Sequence, residues 1–211
     1  MLLYNTQISG NCYKVRLLLA HLGLECELHE VDAVDRTGMP KDVLDYSDRT
    51  ELLEALNPAL RIPTVVLDDG RPLAESNAIL HYFAEGTPFL PEDAFERAKV
   101  LQWLFFEQSS HAPYIAGAYL LVAHWHGPTG PLLDAEIGAR HMRGYTALQQ
   151  MEQHLATRRF LEGNQYTIAD IALYAYTHLA PQGGFDLSGY PATRAWLDRV
   201  AAQPGYIPIT S

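Results

Sequence analysis

The sequence predicts two parts: a small α/β domain of order βαβ, α, ββα over residues 1–86, and an all-helical bundle over 95–211, joined by a linker at 87–94. Three observations carry this reading. The chain starts as strand, helix, strand, which suggests a parallel βαβ unit. An Asp69-Gly70 step between "IPTVVL" and "RPLA" is a strong hairpin signal, and a helix follows it. Beyond the two prolines of "TPFLPEDA", strand patterning all but disappears.

The elements follow in order. "MLLYN" is a short apolar strand, and Val15, Leu18, Leu19 and Leu22 then fall at i, i+3, i+4 and i+7, with Gly23 at the C-cap position of a helix. "ECELHEV" is a weaker second strand, on which Cys26 reads as a core residue. "DAVDRTGMPKDVLDY" has no clean period and reads as a long loop. Asp48 and Glu51 have capping-box spacing before "LLEAL", a short helix that Pro58 stops at Asn57. After the hairpin, "ESNAILHYFAEG" is a helix ended by Gly86. In the second part Ala98, Leu101 and Phe105 repeat at helical spacing, as do Tyr145, Leu148, Met151 and Leu155. "TIADIALYAYTHL" adds Ile168, Ile171, Ala172, Ala175 and Leu179, opened by a Thr167/Asp170 capping box assigned to folding. "YPATRAWLDRVAAQ" closes the bundle with Pro191 in its first turn.

Composition excludes several partners. Of the 211 residues, 25 are acidic and 15 are Lys or Arg, and the resulting net charge of −10 disfavours nucleic acid and anionic membrane. The longest apolar run, "YIAGAYLLVA", is too short to span a bilayer, and "MLLYN" lacks the regions of a signal peptide, so a cytoplasmic location is expected. Two cysteines make neither a disulfide nor a metal framework. His124 and His126 in "HWH" lack a third partner at metal-ligand spacing, so no metal is expected.

"SGNC", at the first strand-to-helix turn, has the spacing of a C-x-x-C motif with serine in the first place. Such a motif does thiol chemistry because a helix N-terminus stabilises a thiolate. With Ser9 in that position the thiol must come from another molecule. Cys12 stands in the second, less accessible position and reads as a packed residue rather than a nucleophile.

"SGNCYK" at this turn, "RIP" before the hairpin, "ESNAIL" after it and "TIADIAL" in the helical part together resemble the cytosolic glutathione transferases, over nearly the whole chain. Ser9 with Asn11 and Lys14 is similar to the bacterial Nu-class pattern. The resemblance implies a thioredoxin-like N-terminal domain, a helical C-terminal domain, glutathione as co-substrate and a homodimer. It implies a transferase that attacks a small hydrophobic electrophile, with a glutathione-dependent disulfide reductase or a non-catalytic binding module as alternatives.

Within that resemblance each residue has a task. Ser9 and Asn11 would donate hydrogen bonds to the glutathione sulfur, while also suiting an N-cap and a turn. Pro63 is cis in the family, presenting the Ile62 backbone to the cysteinyl moiety like an added strand. Ser76, at a helix start, would bind the γ-glutamyl carboxylate and Glu75 the ammonium, though both also suit a plain helix cap. Arg61 is the nearest candidate for the glycyl carboxylate, with Arg36 and Lys41 behind it. The family pattern of Gly-Lys is replaced here by Leu60 and Arg61, and the 33–47 loop is longer than in the family. Lys14 and Arg16 would enrich the local positive field without touching ligand. Phe106, His111 and Tyr114 are the candidates for an electrophile pocket.

Overall fold

The computed structural model describes residues 1–31, 52–125 and 127–211. They form two compact units, one of 1–85 with 204–211 and one of 86–203.

In the first unit β1 (Leu2–Asn5), β2 (Glu27–Glu30), β3 (Thr64–Val66) and β4 (Pro72–Ala74) form one sheet of order β2-β1-β3-β4. β1 and β2 run parallel, with Leu3 opposite Leu28. β3 is antiparallel to both neighbours, with Thr64 opposite Tyr4 on one side and Ala74 on the other. α1 (Gly10–Leu22) is the helix of the parallel unit, and α2 (Ser76–Ala84) follows the hairpin and packs beside it. The period-2 and period-3.6 patterns meet in a core of Leu3, Val15, Leu19, Val65 and Ile79. Gly23 ends α1 at φ 64°, its N–H donating to the Leu19 and Ala20 carbonyls, which a residue with a Cβ would do at a steric cost.

Cys26 departs from its sequence reading. It lies just before β2 rather than within it, and is half-buried against the edge of that core. The Asp48/Glu51 capping box and the 33–47 loop, with Arg36 and Lys41, lie outside the described residues. Leu53, from the predicted short helix, is helical and fully buried.

The second unit consists of α3 (Ala94–Phe106), a π-helical turn (Glu107–His111), α4 (Ala112–Ala123), α5 (Pro131–Leu155), α6 (Ile168–Thr177), a 3-10 turn (Ala180–Gly183) and α7 (Pro191–Ala201). α3 forms as predicted but turns the other way. Val100, Trp103 and Leu104 face the core, whereas Ala98 and Phe105, from the predicted stripe, are exposed. On α5, Leu148, Met151 and Leu155 are buried as predicted. α6 is buried along its whole length. Its Thr167/Asp170 capping box is present, and Asp170 does more than cap: it also accepts from Leu161 N at 3.0 Å and from Trp196 Nε1 on α7 at 2.8 Å. Gly183 lets the 3-10 turn lie against α4, since a Cβ there would stand 2.9 Å from the Tyr119 backbone nitrogen. No helix among the described residues is long and apolar enough to cross a membrane.

Residues 204–211 differ from the expectation that everything beyond 95 belongs to the helical part. They return to the first unit. Arg16 explains the return: its guanidinium donates to the carbonyls of Ile209, at 2.8 Å, and Ser211, and to Gln7 Oε1 at 3.0 Å. Tyr13 adds a hydrogen bond to the Ile207 carbonyl at 2.7 Å. Arg16 is therefore a 5% exposed anchor for this segment rather than part of a diffuse positive field.

Candidate active site

Strand register gathers the candidate residues. β1 ends at Asn5 and leads into the Ser9 turn, Pro63 precedes the β3 residue paired with Tyr4, and Glu75 follows the β4 residue paired with Thr64. The Ser9 turn, the Ile62-Pro63 turn and the start of α2 thus lie at one end of the sheet.

Ser9 is the N-cap of α1, and its Oγ accepts from Cys12 N at 3.3 Å. The cap uses an oxygen lone pair, and the hydroxyl, which also meets the Cys12 thiol, can turn its proton to another acceptor without breaking the cap, so the structural and chemical roles of Ser9 are compatible. No acidic residue occupies the first turn of α1 to cancel the partial positive charge there. Cys12 is fully buried, and loss of hydration pushes its thiol up to about 11, against the lowering influence of hydrogen bonds from Ser9 and the Thr6 backbone.

Asn11 and Ser76 come together, the Ser76 hydroxyl donating to Asn11 Oδ1 at 3.4 Å. Ser76 is the first residue of α2 and 4% exposed. Sequence reasoning missed its other partner: Lys14, assigned to a background field, is fully buried and its Nζ donates to Ser76 Oγ at 3.2 Å and Asn77 Oδ1 at 3.3 Å. Their common signal is helical spacing, because Asn11 and Lys14 are i and i+3 on α1. Glu75 is exposed and makes no side-chain cap bond, but its φ of 68° places a residue with a Cβ in the left-handed region. Such backbone strain gathers at ligand-binding positions.

The Ile62-Pro63 peptide is cis. Its turn is tied by a buried network also missed from sequence: Asn57 Nδ2 donates to the Arg61 carbonyl at 2.9 Å and to Thr64 Oγ1 at 3.1 Å, while Thr64 Oγ1 donates to the Arg61 carbonyl at 2.8 Å. The Asn-Pro step at 57–58 was the available clue. The side chain of Arg61 is exposed.

Comparison with known proteins gives the chain its family. Residues 8–85 match the family model for the glutathione S-transferase N-terminal domain, and residues 142–204 match that for the C-terminal domain. The chain belongs to the glutathione S-transferase family. A glutathione S-transferase crystal structure from Pseudomonas fluorescens Pf-5 is 45% identical with a TM-score of 0.90, covering 100% of this chain and 98% of that one. Glutathione S-transferase 3 of Zea mays is 30% identical over 97% of this chain and 90% of its own length. The disulfide-bond oxidoreductase YfcG of Escherichia coli is 29% identical over 92% of this chain and 87% of its own.

Among the three residues assigned to an electrophile pocket of this transferase-family chain, the structure separates one from the others. His111 is fully buried at the end of the π-helical turn, its Nε2 2.8 Å from Thr177 Oγ1, so it serves the core of the helical unit and presents no surface to a substrate. Phe106 is half-buried, edge-on to Trp103 at 5.3 Å. Tyr114 is half-buried, its hydroxyl accepting from Arg143 Nη1 at 3.0 Å. His124 packs edge-on to Tyr119 at 4.7 Å, while His126 lies outside the described residues.

Proposed function

We propose that this chain is a glutathione transferase that ionises the glutathione thiol at the N-terminus of α1 and directs the thiolate at a small hydrophobic electrophile. The observation that carries this reading is the Ser9 cap. Its hydroxyl accepts from Cys12 N and can turn its proton to a guest sulfur without breaking the cap, beside helix N–H groups with no acidic residue in their own first turn. A free thiol titrates near ~8.5, so lowering it towards neutrality turns a few per cent of thiolate into a major species.

Ser9 and Asn11 hold the sulfur. The Ile62 backbone pairs with the cysteinyl moiety, the N-terminus of α2 at Ser76 takes the γ-glutamyl carboxylate, Glu75 its ammonium, and Arg61 the glycyl carboxylate. The thiol proton leaves to solvent. The sulfur lone pair then forms a bond to the electrophilic carbon, and the leaving group departs with its electron pair, or the electrons move onto the acceptor in an addition. A homodimer, a cytoplasmic location and a role in detoxification complete the proposal, and these rest on family membership.

Glutathione-dependent disulfide reduction is the second reading, favoured by the likeness to an oxidoreductase and by Ser9 with Asn11. There the thiolate attacks one sulfur of a disulfide and expels the other as thiolate. A second glutathione then attacks the mixed disulfide, giving oxidised glutathione and the second free thiol. Cys12, fully buried, has no part in it.

The test is an ultraviolet titration of thiolate absorbance with glutathione, in wild type and Ser9→Ala. Wild type is expected to show saturable thiolate at neutral pH, and Ser9→Ala to raise the bound thiol by about one unit, a tenfold fall in the ratio of thiolate to thiol. Loss of the cap costs about 1 kcal/mol, which a parallel denaturation curve registers separately. Binding without thiolate in wild type would reject the transferase reading in favour of a binding module.

A further inference from the structure

Lys14 is a buried charge that the proposed mechanism leaves unused. A lysine is seldom fully buried unless its ammonium is engaged, and this one is enclosed at the contact of α1 with α2. The directions of its hydrogen bonds follow from donor chemistry. An ammonium has only donors, so Ser76 Oγ accepts from Lys14 Nζ at 3.2 Å. The Ser76 hydroxyl proton is then directed to Asn11 Oδ1 at 3.4 Å. With its oxygen occupied on the α2 side, the Asn11 amide turns its NH₂ group away from Ser76. Each donor in such a chain strengthens the next, more so when a full charge heads it in a low-dielectric setting.

We propose that Lys14 is a positioning residue for thiol ionisation, acting through Ser76 to hold the Asn11 amide with its N–H groups towards the glutathione sulfur and to strengthen them as donors. This rests on the reading of Ser9 and Asn11 as the thiol donors. Lys14 itself touches no substrate atom. Its charge is transmitted by two hydrogen bonds within the first unit.

The experiment measures the pKa of the bound glutathione thiol, from thiolate absorbance against pH at saturating glutathione. It compares wild type, Lys14→Met, Lys14→Gln, Asn11→Ala and the double variant Lys14→Met/Asn11→Ala. Lys14→Met is expected to raise the thiol by about half to one unit, and Lys14→Gln, which keeps a neutral donor, by less. In the Asn11→Ala background Lys14→Met is expected to add nothing, because the two act as one chain. Weaker glutathione binding with an unchanged thiol pKa overturns the proposal, since Lys14 then serves the carboxylate end. So do shifts that simply add. Should Lys14→Met not fold, Ser76→Ala cuts the chain while retaining the charge, and an unchanged thiol pKa at saturation overturns the proposal equally. Wild type is measured first: if it shows no thiolate, the transferase reading falls and this inference with it. A wild-type thiolate indifferent to Lys14 removes the inference alone.

Discussion

At the residue scale, one turn holds two sulfur-related groups of opposite character. Cys12 is sealed in the core and its thiol is held at about 11, while Ser9, three residues earlier, caps the same helix through a lone pair and has a hydroxyl proton that can rotate between acceptors. Burial excludes the charged form of Cys12 from chemistry, so in the proposed reading the reacting sulfur is a guest's. Cys12 is accordingly expected to react with a small alkylating agent at neutral pH at least about a hundredfold more slowly in the native protein than in urea, monitored by mass spectrometry. Cys12→Ala is expected to leave the pKa of bound glutathione where wild type has it. Rapid native alkylation, or a shifted thiolate titration in the alanine variant, would mean that Cys12 takes part. The "SGNC" spacing made Ser9 legible as a candidate, because helix-start chemistry is written in local sequence, and the family resemblance added Asn11. The burial of Lys14 was not, because a lysine on a helix reads as solvated until a second helix is seen to cover it.

At the scale of elements, the entry to α6 is organised by a single carboxylate. Asp170 accepts from Thr167 N and Leu161 N, both at 3.0 Å, and from Trp196 Nε1 at 2.8 Å, joining the cap, the preceding turn and α7. Desolvation still outweighs these bonds and raises the carboxyl to about 6. An unfolded aspartate titrates near ~3.9, so between about 4 and 6 it is the folded state that binds the extra proton. Its contribution to stability is therefore fully present below about pH 4 and lost as the pH rises through about 6. Wild type minus Asp170→Asn, followed by urea denaturation from pH 4 to 7, is expected to fall by up to about 3 kcal/mol. A flat difference would show that the carboxyl titrates normally. At neutral pH, Asp170→Ala is expected to cost roughly 3–5 kcal/mol, since it leaves several buried donors unpaired. The T-x-x-D box was readable from spacing, but the reach to Trp196 joins positions distant in sequence and has no local signature.

At the scale of the whole molecule, the chain does not stay in the unit where its pattern last places it. Residues 204–211 leave the helical unit and bind the first, held by Arg16, Tyr13 and Gln7. Arg16→Met, which keeps much of the stem but removes the guanidinium, is expected to destabilise the first unit by roughly 2–4 kcal/mol. It is also expected to expose residues 204–211 to proteolysis, read by mass spectrometry of the early fragments. If the segment stays protected and the denaturation midpoint is unmoved, the anchor lies elsewhere.

Periodicity and punctuation by themselves determined the α/β unit, the helical unit, the hairpin, the Thr167 cap and the candidacy of Ser9, while the resemblance in motif order added Asn11, Pro63 and Ser76. These depend on contacts only a few residues apart, where propensity and turn chemistry act. Tertiary structure alone decided which face of α3 is buried, that His111 is a core residue, that Lys14 lies beneath Ser76, and that Arg16 holds residues 204–211. Each of those outcomes is set by a partner distant in sequence, and burial is a property of the assembled surface rather than of the residue that undergoes it.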